Sequence, residues 1–292
     1  MIQVRNLTYG YDTAEPVLTG ITMDISPGQY VGVIGPNGCG KTTLLRHLNA
    51  LLLPNSGEVL VDGMSTRDAG KAAEIRRLVG MVFQNPDNQI VGMTVEEDVA
   101  FGPGNLGLPS AEIRRRVEHA LDAVRLVHAA SRPPATLSGG EKRLLAIAGV
   151  LAMKPRYIAL DEPTSSLDTQ GRERVLGVIR DLNREGITII HITHDTEEIV
   201  TAERVIVMER GAILRSGTPS EIFSRVEEMK ALGLNVPTGP EILWRLRNLG
   251  REIPCRSPDL DTALREIAGR MSGDIGKTPP EGVDHGVIDP IG

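Results

Sequence analysis

The sequence has little cysteine and no long hydrophobic segment, and both absences narrow what the protein can be. Its two cysteines among 292 residues, Cys39 and Cys255, form neither a disulfide framework nor a metal site by themselves, which fits a reducing compartment. The longest strongly apolar run, Leu144 to Met153, has ten residues, too few to cross a bilayer. Met1 to Arg5 shows no basic stretch followed by an apolar core, so we expect no secretory signal. If the chain serves a membrane, we expect it to do so through a partner.

An excess of positive charge is also absent. The formal net charge is −6, whereas a dedicated nucleic-acid-binding protein needs a basic surface, so we expect no nucleic-acid partner. Hydrophobic residues make up 40% and charged residues 24%, ordinary values that support a folded core. Aromatic residues make up only 3%, so each one near a motif is worth separate attention.

Short apolar segments alternate with helical ones, which predicts an α/β fold with a mainly parallel sheet covered by helices. An N-terminal antiparallel portion is predicted from three strands: Ile2 to Leu7, Ile21 to Ile25 and Val59 to Val61. Continuously apolar runs predict buried core strands at Tyr30 to Ile34, Val79 to Phe83, Tyr157 to Leu160, Ile187 to Ile192 and Val205 to Met208. A helix is predicted from Lys41 to Leu53.

Between Phe83 and Tyr157 only helices are predicted: Val95 to Phe101, Ser110 to Val127 and Gly140 to Met153. We therefore expect a helical insertion at about 85–153 within a main domain of residues 1–225. Three short amphipathic helices are predicted beyond it, at Ser220 to Leu232, Pro240 to Leu249 and Asp259 to Met271. Residues 226–271 are therefore expected to form a small helical extension. Residues 272–292, rich in Gly, Pro and Asp, are expected to be loose.

One glycine-rich segment matches the phosphate-binding pattern G-x-x-x-x-G-K-[ST], and we call it the phosphate loop: Gly35, Pro36, Asn37, Gly38, Cys39, Gly40, Lys41, Thr42 and Thr43. Glycines let backbone N–H groups turn towards the phosphates, Lys41 neutralises phosphate oxygens and the Thr42 hydroxyl is a ligand for Mg²⁺. The loop follows a predicted strand and opens a predicted helix, so its nucleotide reaches a helix N-terminus. Cys39 is expected to be a small residue tolerated where side chains point away from the phosphates.

Two carboxylates end the predicted strand Tyr157 to Leu160. Asp161 is placed to hold Mg²⁺ through water, and Glu162 is placed to polarise the attacking water. By themselves, two acids at a strand exit are more often solvated and idle. Beside a phosphate loop, the catalytic interpretation is favoured.

A second glycine-rich helix start is Leu137 to Glu141, which we call the signature segment. Ser138, Gly139 and Gly140 present backbone N–H groups at a helix N-terminus, a ready anion site. Read alone, this is an ordinary helix cap. Its position about twenty residues before Asp161 favours the phosphate-binding interpretation.

The motifs together resemble the ABC ATPase family, over roughly residues 1–225: the phosphate loop, Gln84, the signature segment, Asp161-Glu162, Ser166-Leu167-Asp168 and His194. The resemblance implies a P-loop NTPase (RecA-like) fold and ATP hydrolysis with Mg²⁺. It also implies a dimer with a second copy or a paralogue, in which the signature segment of one subunit covers the ATP of the other.

The resemblance assigns a role to each remaining residue. Tyr11 would stack on adenine, although a packed surface tyrosine is the plain alternative. Gln84 would reach Mg²⁺ and the attacking water, and His194 would contact the γ-phosphate; an exposed loop glutamine and a structural histidine are the alternatives. Asp168 would tie one subunit's site to the other, or would simply cap the following helix. Leu144 stands where the family often has arginine, which questions the bonds that brace the signature helix.

Finer detail is similar to the ATPases of energy-coupling-factor importers, which take up cobalt, nickel or vitamins. The resemblance lies in Val79 to Gln89, Thr94 to Gly102, Leu145 to Met153 and Gly217 to Phe223. It implies a peripheral subunit at the cytoplasmic face of the cell membrane. Its partners would be a transmembrane coupling protein and a substrate-binding membrane protein.

Two alternatives remain at this stage. A soluble ABC ATPase acting on a non-transport partner would be expected to show coiled-coil heptads or a second phosphate loop, and neither is present. A P-loop small-molecule kinase would leave Ser138 to Gly140 and His194 unexplained.

Overall fold

Ten β-strands and ten α-helices make up the part of the chain that the computed structural model describes, residues 1–11, 15–250 and 258–274. The strands are β1 (Ile2–Tyr9), β2 (Leu18–Ile25), β3 (Tyr30–Ile34), β4 (Ser56–Val61), β5 (Met64–Ser65), β6 (Val79–Val82), β7 (Tyr157–Asp161), β8 (Thr188–Ile192), β9 (Arg204–Glu209) and β10 (Ala212–Gly217). The helices are α1 (Lys41–Leu48), α2 (Ala72–Leu78), α3 (Val95–Asn105), α4 (Ser110–Ala123), α5 (Gly139–Leu151), α6 (Thr169–Arg184), α7 (Pro219–Phe223), α8 (Val226–Ala231), α9 (Thr238–Asn248) and α10 (Leu260–Asp274). Short 3-10 turns occur at Pro86–Asn88, Val127–Ala129, Pro134–Thr136 and Thr196–Ile199.

The larger sheet has six strands in the order β10-β9-β3-β8-β7-β6. The strands from β9 to β6 run parallel to their neighbours, and β10 pairs antiparallel with β9. Along β7, Tyr157 belongs to one hydrophobic cluster and Ile158 to the other, so side chains on both faces of the sheet are buried. A strand covered on both faces is continuously apolar, which is why the core strands could be predicted. The predicted mainly parallel sheet is confirmed.

The smaller sheet has four strands, pairs antiparallel throughout and has the order β2-β1-β4-β5. Val4 pairs with Met23 on one side and with Val59 on the other, and all three are buried. From Ile21 to Ile25 buried and exposed residues alternate, the period typical of a strand with one covered face. The predicted N-terminal antiparallel portion is confirmed.

The predicted helical insertion is also confirmed, because the three helices α3, α4 and α5 lie between β6 and β7 in the chain. A capping box begins α3, where Thr94 Oγ1 accepts from the Glu97 N–H and Glu97 Oε2 accepts from the Thr94 N–H. Leu145 and Ala148 of α5 are fully buried in the hydrophobic cluster that also contains β7 residues. The insertion is therefore packed directly onto the large sheet.

The predicted end of the first helix is wrong: α1 ends at Leu48 instead of Leu53. Ala50 has a φ of 55°, in the left-handed region, and the Leu51 N–H donates to the Arg46 carbonyl oxygen over 2.9 Å. A left-handed residue just after a helix ends it. No glycine marks this position, so the apolar run alone suggested a longer helix.

Other predictions missed elements or merged them. The single helix predicted over Ser220 to Leu232 is two helices, α7 and α8, separated at Arg225, whose ψ of 54° is not helical. Helix α2 and strands β5 and β10 were not predicted, and the helix expected after Asp168 was given no bounds, although α6 has 16 residues and a buried apolar face. The only buried residue of α2 is Ile75, and β10 has none, so neither carries a strong hydrophobic pattern.

Helices α7 and α8 pack against the large sheet, and α9 and α10 pack against each other. Phe223 and Met229 are fully buried in the cluster around the large sheet, and Lys230 lies 4.4 Å from the centre of the Trp244 ring. Helix α10 continues to Asp274, three residues past the expected boundary at 271. The rest of the expected tail, 275–292, and residues 251–257 lie outside the described residues. Within the described ranges, no helix has both the length and the apolar composition needed to cross a bilayer.

Candidate functional site

The phosphate loop joins β3 to α1 and lines a cavity of about 780 Å³. Gly40, the residue before α1, has a φ of 101°, and a Cβ there would lie 2.7 Å from Leu18 Cδ2, so glycine is required. No side chain caps the start of α1. Lys41 Nζ donates to the carbonyl oxygens of Gly35 (2.7 Å) and Pro36 (3.0 Å). The loop therefore presents an uncapped helix end and a cation to one cavity, an arrangement suited to phosphate.

Most residues of the predicted loop line this cavity: Gly35, Pro36, Asn37, Gly38, Gly40, Lys41, Thr42 and Thr43. Cys39 is different, because its side chain is buried in the core cluster that contains β3 and α1 residues. Burial raises the pKa of its thiol, although Lys41 Nζ, 3.9 Å from Sγ, acts in the opposite direction. The thiol faces away from the cavity, so only the main chain of Cys39 belongs to the loop surface.

Asp161 and Thr42 form an oxygen pair at the floor of the cavity. Thr42 Oγ1 donates to Asp161 Oδ2 over 2.8 Å. Burial raises the pKa of Asp161 and the Thr42 hydroxyl lowers it, while the Glu162 carboxylate raises it further. A hydroxyl and a carboxylate oxygen suit Mg²⁺, which takes few protein ligands and completes its shell with phosphates and water. The described residues contain no cluster of three or more His, Cys, Asp or Glu that could hold a metal ion.

Glu162, Gln84 and His194 meet at one point of the same cavity. Gln84 Nε2 donates to Glu162 Oε2 over 3.0 Å, and His194 Nδ1 lies 3.4 Å from Glu162 Oε1. Asp161 at the end of β7 pairs in register with Ile192 at the end of β8, which brings the loops after both strands together. Glu162 has a φ of 48°, a strained conformation for a non-glycine residue and one that concentrates at functional sites.

The signature segment lines a separate cavity of about 420 Å³ that shares no lining residue with the first. Its helix end is capped by its own side chains: Ser138 Oγ accepts from the Glu141 N–H, and Glu141 Oε2 accepts from the Ser138 N–H over 2.8 Å. Gly139 and Gly140 line this cavity together with Ser138 and Asp168. The sequence predicted two phosphate-binding helix ends, and the structure places them apart.

Asp168 therefore lies beside the signature segment of its own chain and away from its own phosphate loop. Its Oδ1 accepts from the Gly171 N–H over 2.7 Å, so it also caps α6. Tyr11 is half-exposed, with its hydroxyl 3.2 Å from Thr43 Oγ1 and its ring edge-on to Tyr9. The Tyr11 ring thus lies beside the end of the phosphate loop, without lining the cavity.

Arg143 makes the contacts that brace the signature helix, which the sequence had questioned because Leu144 stands at the usual arginine position. Its Nη1 donates to the carbonyl oxygen of Phe83 and its Nη2 to that of Gln84, each over 2.6 Å. Leu144 is buried and takes a place in the hydrophobic core. Burial lowers the pKa of Arg143, and the Asp161 and Glu162 carboxylates oppose that effect. The doubt raised by Leu144 is therefore resolved by its neighbour, which ties the signature helix to the Gln84 backbone.

Some cavity residues were missed from the sequence. Gly233, Leu234 and Asn235, between α8 and α9, line the phosphate-loop cavity, although nothing in their sequence suggests a nucleotide site. Gln89 ends one of the segments that resemble the importer ATPases, and no structural role was predicted for it. Its Oε1 accepts from the Phe83 N–H and its Nε2 donates to the Met81 carbonyl oxygen, so it closes the turn after β6.

Comparison with known proteins agrees with this arrangement. A sequence model described as ABC transporter matches residues 18–165. The chain is 54% identical over 273 residues to the cobalt import ATP-binding protein CbiO of Syntrophus aciditrophicus, covering 93% of this chain and 98% of that protein. It is 52% identical over 259 residues to the energy-coupling factor transporter ATP-binding protein EcfA1 of Caldanaerobacter subterraneus, covering 87% of this chain and 94% of that protein.

Solved structures agree as well. The structure of cbiO1 from Clostridium perfringens, described as part of the ABC transporter complex cbiONQ, matches with a TM-score of 0.73 and 36% identity, covering 83% of this chain and 98% of that one. The ATP-binding cassette MJ0796, solved as a dimer bound to ADP and Pi, matches with a TM-score of 0.67 and 32% identity, covering 75% of this chain and 98% of that one.

Fold, site and comparisons define a nucleotide-binding P-loop ATPase cassette, as predicted. The chain belongs to the ABC transporter family, and within it to the energy-coupling factor type of ATP-binding subunit. The transporter interpretation is supported over a soluble ABC ATPase acting on a non-transport partner.

Proposed function

We propose that the chain hydrolyses Mg²⁺-ATP as one half of an ATPase dimer that drives solute import through a transmembrane coupling protein. The observation that carries this proposal is the separation of two phosphate-facing helix ends on one chain. The phosphate-loop cavity is lined by Lys41, Asp161 and Glu162, whereas the signature cavity contains none of these three residues and no lysine. Each chain therefore has half of two sites, and two chains are needed to complete them.

Each residue of the first cavity has a distinct task in this proposal. Lys41 and the uncapped end of α1 bind the phosphates, and Thr42 with Asp161 holds Mg²⁺, which neutralises phosphate charge when bound. Glu162 accepts the proton of the attacking water. Gln84, bonded to Glu162, reaches Mg²⁺ and orients that water, and His194 contacts the γ-phosphate. Tyr11, beside the loop, is placed to stack on adenine.

The second cavity completes the site of a partner. Ser138, Gly139 and Gly140 offer backbone N–H groups to the γ-phosphate held by the other subunit, and Asp168 connects the two sites. The dimeric state of the similar cassette MJ0796 supports this arrangement. The partner is a second copy or a paralogue of this chain.

A third surface supports docking to a membrane protein. Ile90 packs against the core cluster, but Val91 is 59% and Met93 is 81% exposed. A cavity of about 370 Å³ beside them is lined by Ile90, Met93 and Pro133 to Ala135. Apolar side chains around a groove suit helices of a coupling protein that also binds a substrate-binding membrane protein. In this proposal the chain is peripheral, at the cytoplasmic face of the membrane. The name of its relative CbiO makes cobalt the first solute to test.

The chemistry is tested with Glu162→Gln. We expect ATP binding to persist and phosphate release to fall by about 10² or more, because the positioned base is lost. An ATP-bound dimer should accumulate, which light scattering after gel filtration measures. Glu209→Gln, the same change on β9 outside both cavities, is the matched control. Wild-type turnover in Glu162→Gln would remove Glu162 as the base.

Docking is tested with Val91→Asp and Met93→Asp together. We expect the variant to bind ATP and dimerise as wild type does, but to lose co-purification with the coupling protein and solute uptake. Leu249→Asp, which adds the same charge at an apolar residue that is 77% exposed elsewhere, is the matched control. Normal assembly and uptake in the double variant would place the docking surface elsewhere.

A further inference from the structure

A buried carboxylate lies directly behind the loop that carries His194. Glu198 belongs to the 3-10 turn Thr196–Ile199, and its side chain is only 1% exposed. Nothing in the ATPase chemistry described above uses it. A buried carboxylate is costly unless its oxygens are paired, so the identity of its partners shows what it holds together.

The partners of Glu198 come from two segments that approach the nucleotide. Thr193 Oγ1, next to His194, donates to Glu198 Oε2 over 2.8 Å. Thr164 Oγ1, from the segment between Glu162 and Asp168, donates to the other oxygen. One carboxylate thus joins the loop after β8 to the loop after β7.

A strand below supports the same carboxylate. His191 Nε2 lies 3.3 Å from Glu198 Oε2, and His191 Nδ1 shares a hydrogen bond of 2.9 Å with the Tyr30 hydroxyl. Burial alone would raise the pKa of Glu198, but contact with His191 and the two threonine hydroxyls holds this pKa below its usual range. The carboxylate is therefore ionised and fully engaged.

Arg172 extends the connection to α6. Its Nε lies 3.4 Å from Glu198 Oε1, and its Nη2 lies 2.6 Å from Asp195 Oδ2, the residue after His194. The Arg172 N–H donates to the Asp168 carbonyl oxygen over 2.9 Å, so Arg172 lies one helical turn from Asp168. A continuous polar path thus runs from His194 to Asp168.

We propose that Glu198 is a positioning residue, which with Arg172 holds the His194 loop and the Asp168 loop as one rigid unit. Contact of His194 with phosphate in one cavity then moves Asp168 and the signature face that meets the partner. The inference rests on the proposed function, because it requires His194 at the nucleotide and Asp168 at the dimer contact. Buried ion pairs contribute little net stability compared with apolar packing, so a purely stabilising role is a weak explanation of this cluster.

The test is the ATPase activity of Glu198→Gln in the full chain, under conditions where the wild type hydrolyses ATP. Gln keeps the size of the side chain but removes the charge that faces Arg172 and His191. We expect kcat to fall about 10-fold, the scale of misplacing reacting groups by a fraction of an ångström, with the dissociation constant for ATP changed less than about 2-fold. The Hill coefficient for ATP should fall towards 1, because the two sites lose their connection.

Arg172→Gln provides a second route, since its side chain is 36% exposed and we expect the variant to fold. It should reproduce the kinetic effect, and the double variant should lose no more than either single variant, because both act on one connection. Glu197→Gln is the matched control: the adjacent carboxylate accepts from the Thr238 N–H over 2.6 Å, outside the path, and its loss should leave kcat and cooperativity unchanged.

Urea unfolding of each variant separates kinetics from stability. Folded variants with the wild-type kcat and Hill coefficient would overturn the inference. Multiplicative losses of kcat in the double variant would also overturn it, and so would a loss of kcat that only follows a loss of stability. If the wild type itself fails to hydrolyse ATP or Glu162→Gln has no effect, the proposed function fails instead.

Discussion

Helices α1 and α5 both begin at a glycine-rich segment, but their N-terminal ends differ. The end of α1 lacks a side-chain cap and meets Lys41, Asp161 and Glu162 within one cavity. The end of α5 is closed by its own Ser138 and Glu141 and lies in a cavity without lysine. In the proposed function the first end binds phosphate within its own chain, whereas the second end meets a phosphate held by another molecule. The same local motif thus has two roles, set by what surrounds it.

The largest expected effect is on ATP affinity and comes from changing the N-terminal end of α1. In Lys41→Ala we expect ATP affinity to fall about 10²-fold, because removing one partner of a buried charge pair costs about 2–5 kcal/mol. Equilibrium binding of a fluorescent ATP analogue measures this. Lys71→Ala, an exposed lysine paired with Glu74, is the control and should bind normally. Near-normal ATP binding by Lys41→Ala would show that the N-terminal end of α1 does not hold the nucleotide through this lysine.

The second end should affect turnover and leave binding unchanged. In Gly139→Asp we expect unchanged ATP affinity in the monomer and hydrolysis lower by about 10², because a negative charge at this helix end repels the partner's phosphate. Phosphate release and dimer formation measure this. A Cβ at Gly139 meets only Leu167 Cδ2 at 3.5 Å, so Gly139→Ala is a steric control that should remain active. A loss of monomeric ATP binding in Gly139→Asp would show that both ends serve one chain's nucleotide.

The connection between the two ends can be cut at Arg143. In Arg143→Met we expect hydrolysis to fall about 10-fold, because Gln84 is no longer tied to the signature helix. The free energy of unfolding should fall by about 1–3 kcal/mol, because the part-buried carbonyl groups of Phe83 and Gln84 lose a charged hydrogen-bond donor. Urea unfolding and phosphate release measure the two quantities. Arg114→Met, the same change on α4, is the control, and equal hydrolysis in both variants would remove Arg143 from the connection.

The smallest effect should come from Cys39, inside the first end. Since burial raises its pKa and encloses the thiol, labelling by maleimide at pH 8 should be slow both with and without ATP. Mass spectrometry of a Cys255→Ser variant measures this, with urea-unfolded chain as the fully reactive control. In Cys39→Ala we expect ATP affinity within about 2-fold of wild type. Rapid labelling that ATP prevents would mean that the thiol faces the phosphates.

The strands and helices that could be predicted share one property: their residues are patterned by burial on one or two faces. The core strand Tyr157 to Leu160 is apolar throughout because both of its faces are covered. The edge strand β10 and helix α2 were missed because they contribute almost nothing to the core. The overlong prediction for α1 has a different cause, since the left-handed turn at Ala50 is set by hydrogen bonds to Arg46 that no local pattern reveals.

Residue type and order alone were enough to predict the phosphate loop, the carboxylates at the end of β7 and the signature segment as parts of a nucleotide site, because phosphate and magnesium chemistry tolerates few substitutes in those places. Only the folded chain decided how these parts are grouped. Parallel register between β7 and β8 brings Glu162 to His194 and Gln84, and the packing of α5 on the large sheet turns the signature segment into a separate cavity. Three further features depend on neighbours distant in sequence, which local spacing does not encode. They are the buried side chain of Cys39, the contacts that Arg143 makes in place of the missing arginine, and the burial of Glu198.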